Sequence, residues 1–169
     1  METLATLTAR HAQTGRLDWI GLRPARLVDM TEVQEARLEE DGLQGDHARP
    51  GKRALTLIQA EHLPVIAALA AIDHIAPDTL RRNLVVSRIN LGALRGKQLL
   101  IGSALVEITG PCAPCSRMET ALGPGGYTAM RGHGGWCARV LRPGSLATGY
   151  PVTPAPSPWR SAEDARQRG

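Results

Sequence analysis

Residues 110–119 hold the side chains of this chain that are best suited to chemistry. They read Gly-Pro-Cys-Ala-Pro-Cys-Ser-Arg-Met-Glu, so Cys112 and Cys115 lie three positions apart and Arg117 follows them. The segment comes after a predicted strand and before a predicted helical turn. Unpaired backbone N–H groups at a helix start and a nearby guanidinium both stabilise a thiolate. A thiolate is the form of cysteine that attacks electrophiles and binds metals.

Three kinds of site fit these cysteines, and two of them use both thiols. A Cys-x-x-Cys motif between a strand and a helix is typical of a thioredoxin-like dithiol, but the architecture expected after it is missing. Zinc is the second possibility, because Cys112 and Cys115 continue into His133 and Cys137 with the spacing C-x2-C-x17-H-x3-C. Against zinc, residues 136–140 are predicted as a strand, where a small buried cysteine needs no metal.

The third possibility is one thiolate that works with an anionic cofactor. Cations and backbone N–H groups for such a ligand are available from Arg117, from residues 81–83 (Arg-Arg-Asn) and from residues 131–135 (Arg-Gly-His-Gly-Gly). Arg pairs with phosphate through two parallel hydrogen bonds, and glycine-rich turns let a backbone approach a ligand closely. Taken alone, each of these runs of residues is commonly part of the solvent-exposed surface. Their presence together with the cysteine segment favours a cofactor site.

The composition excludes several classes of protein. Of 20 basic residues only Lys52 and Lys97 are Lys, and the net charge of +4 favours an anionic partner. There is no Phe, which disfavours a nucleic-acid binder that stacks bases on aromatic rings. We see no signal peptide, no apolar run near the roughly 20 residues of a membrane span, and too few cysteines for a disulfide framework. We therefore predict a cytoplasmic protein with neither nucleic-acid nor membrane partners.

The predicted elements are short strands separated by Gly and Pro, with one good helix. The helix is predicted over residues 60–74, with Pro64 in its first turn. This pattern predicts a mainly β, α+β protein: a β-barrel with a few peripheral helices. We predict an N-terminal extension over residues 1–15, one domain over residues 16–150 and a mobile tail over residues 151–169. Strands are predicted over residues 53–59, 84–87, 97–109 and 136–141, and short helical turns over residues 79–83 and 115–122.

Several sequence blocks occur together, in this order, in one known family. They are residues 42–46 (GLQGD), 55–62 (LTLIQAEH), 81–86 (RRNLVV), 94–96 with 101–102, 112–115 (CAPC) and 131–135 (RGHGG). On these blocks the chain resembles the MOSC domain, named for the C-terminal domain of molybdenum cofactor sulfurases. The resemblance covers roughly residues 16–150 and is closest to short, stand-alone bacterial members. One departure is Arg88, which stands where relatives tend to have Gly, so its turn is expected to differ.

The resemblance implies a MOSC-type β-barrel with a cleft for the molybdenum cofactor, molybdopterin. By motif position the family's single cysteine, a metal ligand or sulfur acceptor, maps to Cys115, and Cys112 looks like a feature of the short subfamily. Pyridoxal phosphate (PLP) is linked to the family through a separate desulfurase domain that is absent here. Nothing marks Lys52 or Lys97 as a Schiff-base lysine, so PLP is not expected to bind this chain.

The resemblance also suggests roles for the remaining polar residues. Asp46 and His47 would handle protons or orient other groups, with a turn-capping carboxylate as the alternative for Asp46. Asn83 would orient the pterin or its turn. The predicted cofactor-binding residues are Arg81, Arg82, Asn83, Arg117, Arg131 and His133, with the pterin phosphate held by Arg81, Arg82 and Arg131.

Two chemistries fit this site, and a third possibility is a function without catalysis. The first is reduction of small N-hydroxylated substrates, with electrons from a separate redox partner. The second is sulfur transfer, with Cys115 as a persulfide supplied by a sulfur donor. The chain could instead be a non-catalytic molybdopterin carrier. We expect a monomer or a homodimer.

Overall fold

The computed structural model describes residues 1–156 of the chain, and strands are its main elements. In chain order the strands are β1 (Gly15–Leu22), β2 (Thr31–Val33), β3 (Glu35–Glu39), β4 (Gly42–Leu43), β5 (Leu55–Gln59), β6 (Leu84–Ser87), β7 (Gln98–Ile101), β8 (Ala104–Pro111), β9 (Trp136–Arg142), β10 (Gly144–Ala147) and β11 (Pro151–Pro154). The helices are α1 (Leu4–Thr8), α2 (His62–Leu69), α3 (Ser116–Leu122) and α4 (Gly126–Met130), and Leu91–Leu94 form a short 3-10 helix.

Seven of these strands close into a barrel. Around the barrel they run β11, β7, β8, β9, β5, β6 and β1, and β11 completes the ring by pairing with β1. The pairs are antiparallel except β5 with β6, which are parallel. Strand β2 extends the sheet beside β1, and β10, β3 and β4 form a separate small sheet. The prediction of a β-barrel with a few peripheral helices is confirmed.

The two faces of the barrel wall bury different sets of side chains. Side chains alternate along a strand, so Leu55 and Leu57 of β5 belong to the aliphatic core inside the barrel, whereas Ile58 faces the other way. A second apolar cluster covers the outer face of β1, β5 and β6, and α2, α3 and α4 contribute to it. Strand β5 is therefore buried at all five positions.

This outer cluster positions the cysteine segment. Helix α3 begins directly after Cys115 and packs through its buried residues Met118 and Leu122. The Glu119 carboxylate accepts hydrogen bonds from the N–H groups of Gly125 (2.6 Å) and Tyr127 (2.9 Å), which ties α3 to the start of α4. The exposed cysteine is thus held between the barrel strand β8 and a helix anchored on the barrel.

Some predicted elements differ from the observed ones. Helix α2 is shorter than predicted, because Ala71 has a φ of 57° and the chain turns away after the helix. Residues 79–83 form no helix, and Arg81 has a φ of 60° in the turn before β6. The strand predicted over residues 97–109 is a hairpin of β7 and β8 that bends at Gly102, with a φ of 56°.

The predicted tail begins too early. Its first residues, Pro151–Pro154, form β11, which pairs with both β1 and β7 and closes the barrel. Proline is tolerated at the ends of a strand, where a missing N–H removes no ladder bond, so the proline content of this segment misled the prediction. The rest of the predicted tail, from residue 157, lies outside the described residues. The predicted N-terminal extension contains α1, which has no buried residue.

Replacing Arg88 with Gly is expected to raise the free energy of unfolding by about 0.5–1 kcal/mol. Arg88 is exposed and has a φ of 71°, so its turn keeps the left-handed backbone. That region costs a non-glycine residue about 1–2 kcal/mol, part of which is offset by the chain entropy that glycine loses on folding. Urea denaturation measures the change. Arg95→Gly is the control, because Arg95 is also exposed but has a φ of −56°, and a stabilising effect there would contradict the argument.

Candidate functional site

A cavity of about 280 Å³ opens beside the cysteine segment. Its walls come from the chain after β1, from the segment between β4 and β5, and from the segment after β8. Four arginines in one cavity favour an anionic ligand. Other cavities of the described residues, of about 300, 410 and 430 Å³, lie elsewhere and contain no cysteine. The cysteine cavity is lined by Arg23, His47, Arg49, Arg53, Thr56, Arg82, Cys112, Ala113 and Cys115.

Cys115 is the exposed thiol of this cavity. It is a free cysteine with an extended backbone (φ −111°, ψ 170°), and it directly precedes α3. Its side chain caps no backbone N–H group of that helix. Cys115 is therefore accessible to a ligand that enters the cavity.

Cys112 and Cys137 form a buried pair behind Cys115. The Cys112 N–H donates to the carbonyl of Gly135 (2.9 Å), and Cys137 in β9 lies opposite Gly110 in β8. The two thiols are neighbours, and each shifts the pKa of the other. This contact and the charges of nearby arginines lower the pKa of Cys112 against the effect of burial. The same contact and burial raise the pKa of Cys137.

Arg82 anchors the cysteine segment through hydrogen bonds to backbone carbonyl groups. It is 7% exposed, and its guanidinium donates to the carbonyls of Gly134 (2.7 Å), Leu80 (3.0 Å) and Cys112 (3.2 Å). These bonds join the end of β8 to the glycine-rich segment before β9. Arg82 lines the cavity, and three of its hydrogen bonds go to carbonyl groups of the protein. It therefore supplies a fixed positive charge.

Asp46 and Asn83 lie under the cavity in one buried network with Arg23. The Asp46 carboxylate is fully buried and accepts from the Arg23 N–H (2.6 Å), Nε (3.1 Å) and Nη2 (2.9 Å). The Asn83 Oδ1 accepts from Arg23 Nη2 (3.1 Å) and from the N–H (3.2 Å) and Oγ1 (3.0 Å) of Thr56. Its Nδ2 donates to the carbonyl of Gly21 (3.1 Å). Both side chains orient cavity residues and are not among its lining residues.

His47 lies at the cavity, and its place is set by the same network. It is exposed, and its N–H donates to the carbonyl of Arg23 (2.6 Å). The residue is one of the lining residues, so its imidazole is available to a ligand. Of the predicted site residues, Cys115, His47 and Arg82 line the cavity together.

Besides Asn83, four of the predicted cofactor-binding residues do not line this cavity: Arg81, Arg117, Arg131 and His133. Arg81 donates to the carbonyls of Val28 (2.5 Å) and Ala25 (3.5 Å). Partial burial and the charges of Arg117 and Arg23 lower its pKa.

His133 belongs to a different contact. Its ring meets the ring of His62 edge-on, with centroids 5.7 Å apart. Burial and then the neighbouring His133 lower the pKa of His62. Within residues 1–156 no three His, Cys, Asp or Glu side chains gather so that they could hold a metal ion. The C-x2-C…H-x3-C spacing therefore does not converge on a zinc site.

Four lining residues were missed in the sequence: Arg23, Arg49, Arg53 and Thr56. Arg49 and Arg53 stand in the loop between the Gly-Asp block and β5, where a run of basic residues (HARPGKR) was a usable signal. Arg23 had no such signal, because its role depends on Asn83, which lies 60 positions away.

The fold and the site define a small β-barrel protein with an accessible thiol at an arginine-lined cavity. The model of the MOSC domain family matches residues 41–153, and the chain belongs to this family. No curated protein matches the chain. No helix among residues 1–156 is long and apolar enough to cross a membrane.

Solved structures share the fold at low sequence identity. The YuaD protein from Bacillus subtilis has a TM-score of 0.73 and 19% identity, covering 83% of this chain and 94% of that one. YiiM from Escherichia coli has a TM-score of 0.66 and 22% identity, covering 89% of this chain and 75% of that one. YiiM from Geobacillus stearothermophilus has a TM-score of 0.69 and 18% identity, covering 89% and 78%.

Proposed function

We propose that this chain binds the molybdenum cofactor in the arginine-lined cavity, with Cys115 as the sulfur ligand of the metal. The observation that carries the proposal is an exposed, free cysteine in a cavity that four arginines also line. The donor set fits the group, because a thiolate is a soft ligand and guanidinium groups pair with the phosphate of the pterin. Membership of the MOSC family supports the same cofactor.

The cavity residues would have different roles in binding the cofactor. Arg23 and Arg82 are held by hydrogen bonds to the protein and supply fixed positive charge. Arg49 and Arg53 are exposed and can turn their guanidinium groups toward a phosphate. The exposed imidazole of His47 can hold or release a proton beside a bound substrate.

The reaction that we propose is reduction of small N-hydroxylated compounds. The bound cofactor supplies the oxygen-atom and electron transfer. The residues of this chain bind the cofactor, orient it and handle protons. Electrons would come from a separate redox partner. Turnover of such a compound with an added electron donor supports the enzyme, whereas bound cofactor without turnover favours a carrier.

Replacing Cys115 with Ser is expected to lower the molybdenum content of the purified protein at least about tenfold, because a ligand to the metal is lost. Metal analysis and pterin fluorescence of protein from a molybdenum-replete host measure this change. Ser103→Ala, an exposed position on the hairpin between β7 and β8, is the control. Equal molybdenum content in the wild type and in Cys115→Ser would contradict the proposal, as would zinc in place of molybdenum.

Sulfur transfer is a second candidate, favoured by the exposure of Cys115 to a donor protein. Here Cys115 would carry a persulfide, and the cavity arginines would stabilise its negative charge. Mass spectrometry of the unreduced protein tests the idea, with a gain of one sulfur atom on Cys115 as the supporting result. Cys115 found only as the free thiol after treatment with a sulfur donor would contradict it.

A further inference from the structure

The buried pair Cys112 and Cys137 has no part in the proposed function. Both thiols are free, and they are 6% and 4% exposed. Cys112 also lines the arginine cavity, whereas Cys137 lies behind it in β9. Of this pair, Cys112 is therefore the thiol that a small neutral molecule in the cavity can reach.

The strand register places the two cysteines on the same face. Gly110 lies opposite Cys137, and Cys112 bonds through its N–H to the carbonyl of Gly135. The cysteines are therefore diagonal neighbours on the same face of paired strands. Each thiol also shifts the pKa of the other, as expected for neighbouring side chains. A disulfide brings the two Cβ atoms to about 3.8 Å, so Cys112, just beyond the end of β8, must shift toward Cys137 when the bond forms.

The surroundings of Cys112 are those of a reactive sulfur. The charges of Arg82, Arg53 and Arg23 act on it, and each of these arginines also lines the cavity. Positive charge and a donor hydrogen bond favour a thiolate, and the thiolate is the form that attacks peroxides. An inert core cysteine would instead be surrounded by hydrocarbon.

We propose that Cys112 and Cys137 are a redox-active dithiol that small hydroperoxides oxidise to a disulfide. The Cys112 thiolate attacks the hydroperoxide, so an S–O bond forms, the O–O bond breaks, and an alcohol or water leaves with one proton from the solvent. The sulfur loses two electrons and becomes a sulfenic acid. The Cys137 thiol then attacks this sulfur, the S–S bond forms, and the hydroxyl group and the thiol proton leave as water. An external dithiol restores the pair.

The disulfide can be assigned by peptide mapping. Trypsin yields peptide 98–117, which contains Cys112 and Cys115, and peptide 132–139, which contains Cys137. The reduced full-length protein, made in a host starved of molybdenum, is treated with hydrogen peroxide, blocked with a thiol reagent and digested without reduction. We expect a cross-link between the two peptides in the wild type and in Cys115→Ser, which assigns it to Cys112.

Two further measurements sharpen the test. When Cys137→Ala is combined with Cys115→Ser, the cross-link is lost, and the sulfenic acid trapped on Cys112 by dimedone rises roughly tenfold over that in Cys115→Ser because no partner thiol consumes it. In the wild type, cross-linking is roughly tenfold faster in the folded chain than in urea.

The proposal is overturned if Cys115→Ser gives no cross-link, if oxidation joins Cys112 to Cys115, or if folding does not accelerate the cross-linking. Since the assignment comes from the map of Cys115→Ser, poor folding of a Cys137→Ala protein leaves the test intact. Molybdenum content does not enter the result, so the proposed cofactor function can fail independently.

Discussion

Replacing Asn83 with Ala is expected to lower the free energy of unfolding by about 3–4 kcal/mol, one of the largest effects of any single substitution here. The side chain is 0% exposed and makes hydrogen bonds to Arg23, Thr56 and Gly21. Alanine removes all of them and leaves a buried N–H and a buried carbonyl without partners. Each unsatisfied buried group costs about 1–3 kcal/mol. Urea denaturation of the full-length protein measures the loss.

A matched control separates this network from a general effect of removing an asparagine. Asn90 precedes the 3-10 helix, is exposed, and its side chain caps no helical N–H. Asn90→Ala is expected to change the stability by no more than about 0.5 kcal/mol. Equal losses in the two variants would show that the buried hydrogen bonds of Asn83 contribute nothing beyond an ordinary surface residue.

The Asn83 variant also separates two roles for this residue. The family resemblance assigns Asn83 to the pterin or its turn, and a residue that touches only the ligand would affect binding and leave the free protein as stable as before. The geometry instead places Asn83 beneath the cavity, where it holds Arg23 and Thr56. A loss of stability in the ligand-free protein therefore supports the positioning role.

The features that could be predicted from the sequence are those with local signals. Apolar runs bounded by Gly and Pro predict β5, β6 and β9, and the spacing of apolar residues predicts α2. The cysteine segment is recognisable because Cys, Pro and Arg stand together within residues 110–119. These signals need only neighbours in the chain, and they were sufficient to predict the barrel class and to select Cys115 as a candidate site residue.

The features that could not be predicted depend on contacts between distant segments. Arg82 and Arg81 are adjacent and identical in type, yet Arg82 is buried and donates across 52 positions to Gly134, whereas Arg81 bonds to the loop at Ala25 and Val28. No local pattern distinguishes the two. The small strands β2, β3 and β4 were missed for a related reason, since they have five residues or fewer and no apolar run.

Replacing Arg82 with Lys is expected to lower the free energy of unfolding by about 2–3 kcal/mol although the charge is kept. The planar guanidinium reaches three carbonyls on separate segments, those of Leu80, Cys112 and Gly134. An ammonium group is a compact point charge and cannot span them in that geometry. Buried carbonyls are then left unpaired at about 1 kcal/mol or more each. Arg131→Lys, at an exposed position, is the control and is expected to change the stability by less than about 0.5 kcal/mol.

Amide hydrogen exchange locates the loss within the cysteine segment. The Cys112 N–H is protected by its bond to Gly135, and Arg82 holds the segments on both sides of that bond. A local loss of about 2.7 kcal/mol corresponds to roughly 100-fold faster exchange at this amide. Amides of β7, on the far side of β8, are expected to change less. Uniform acceleration over the whole barrel would show that Arg82 supports global folding and does not specifically hold the site.

The same variant decides what Arg82 does for the proposed cofactor. If its function is to contact a phosphate, Arg82→Lys keeps a cation in the cavity, and exchange in the ligand-free protein stays as it is in the wild type. If it fixes the segment that carries Cys112 and leads into Cys115, exchange rises before any ligand is added, and molybdenum content then falls because the thiol is no longer held in place. The three carbonyl contacts favour the second outcome, so we expect the structural change to precede the loss of metal.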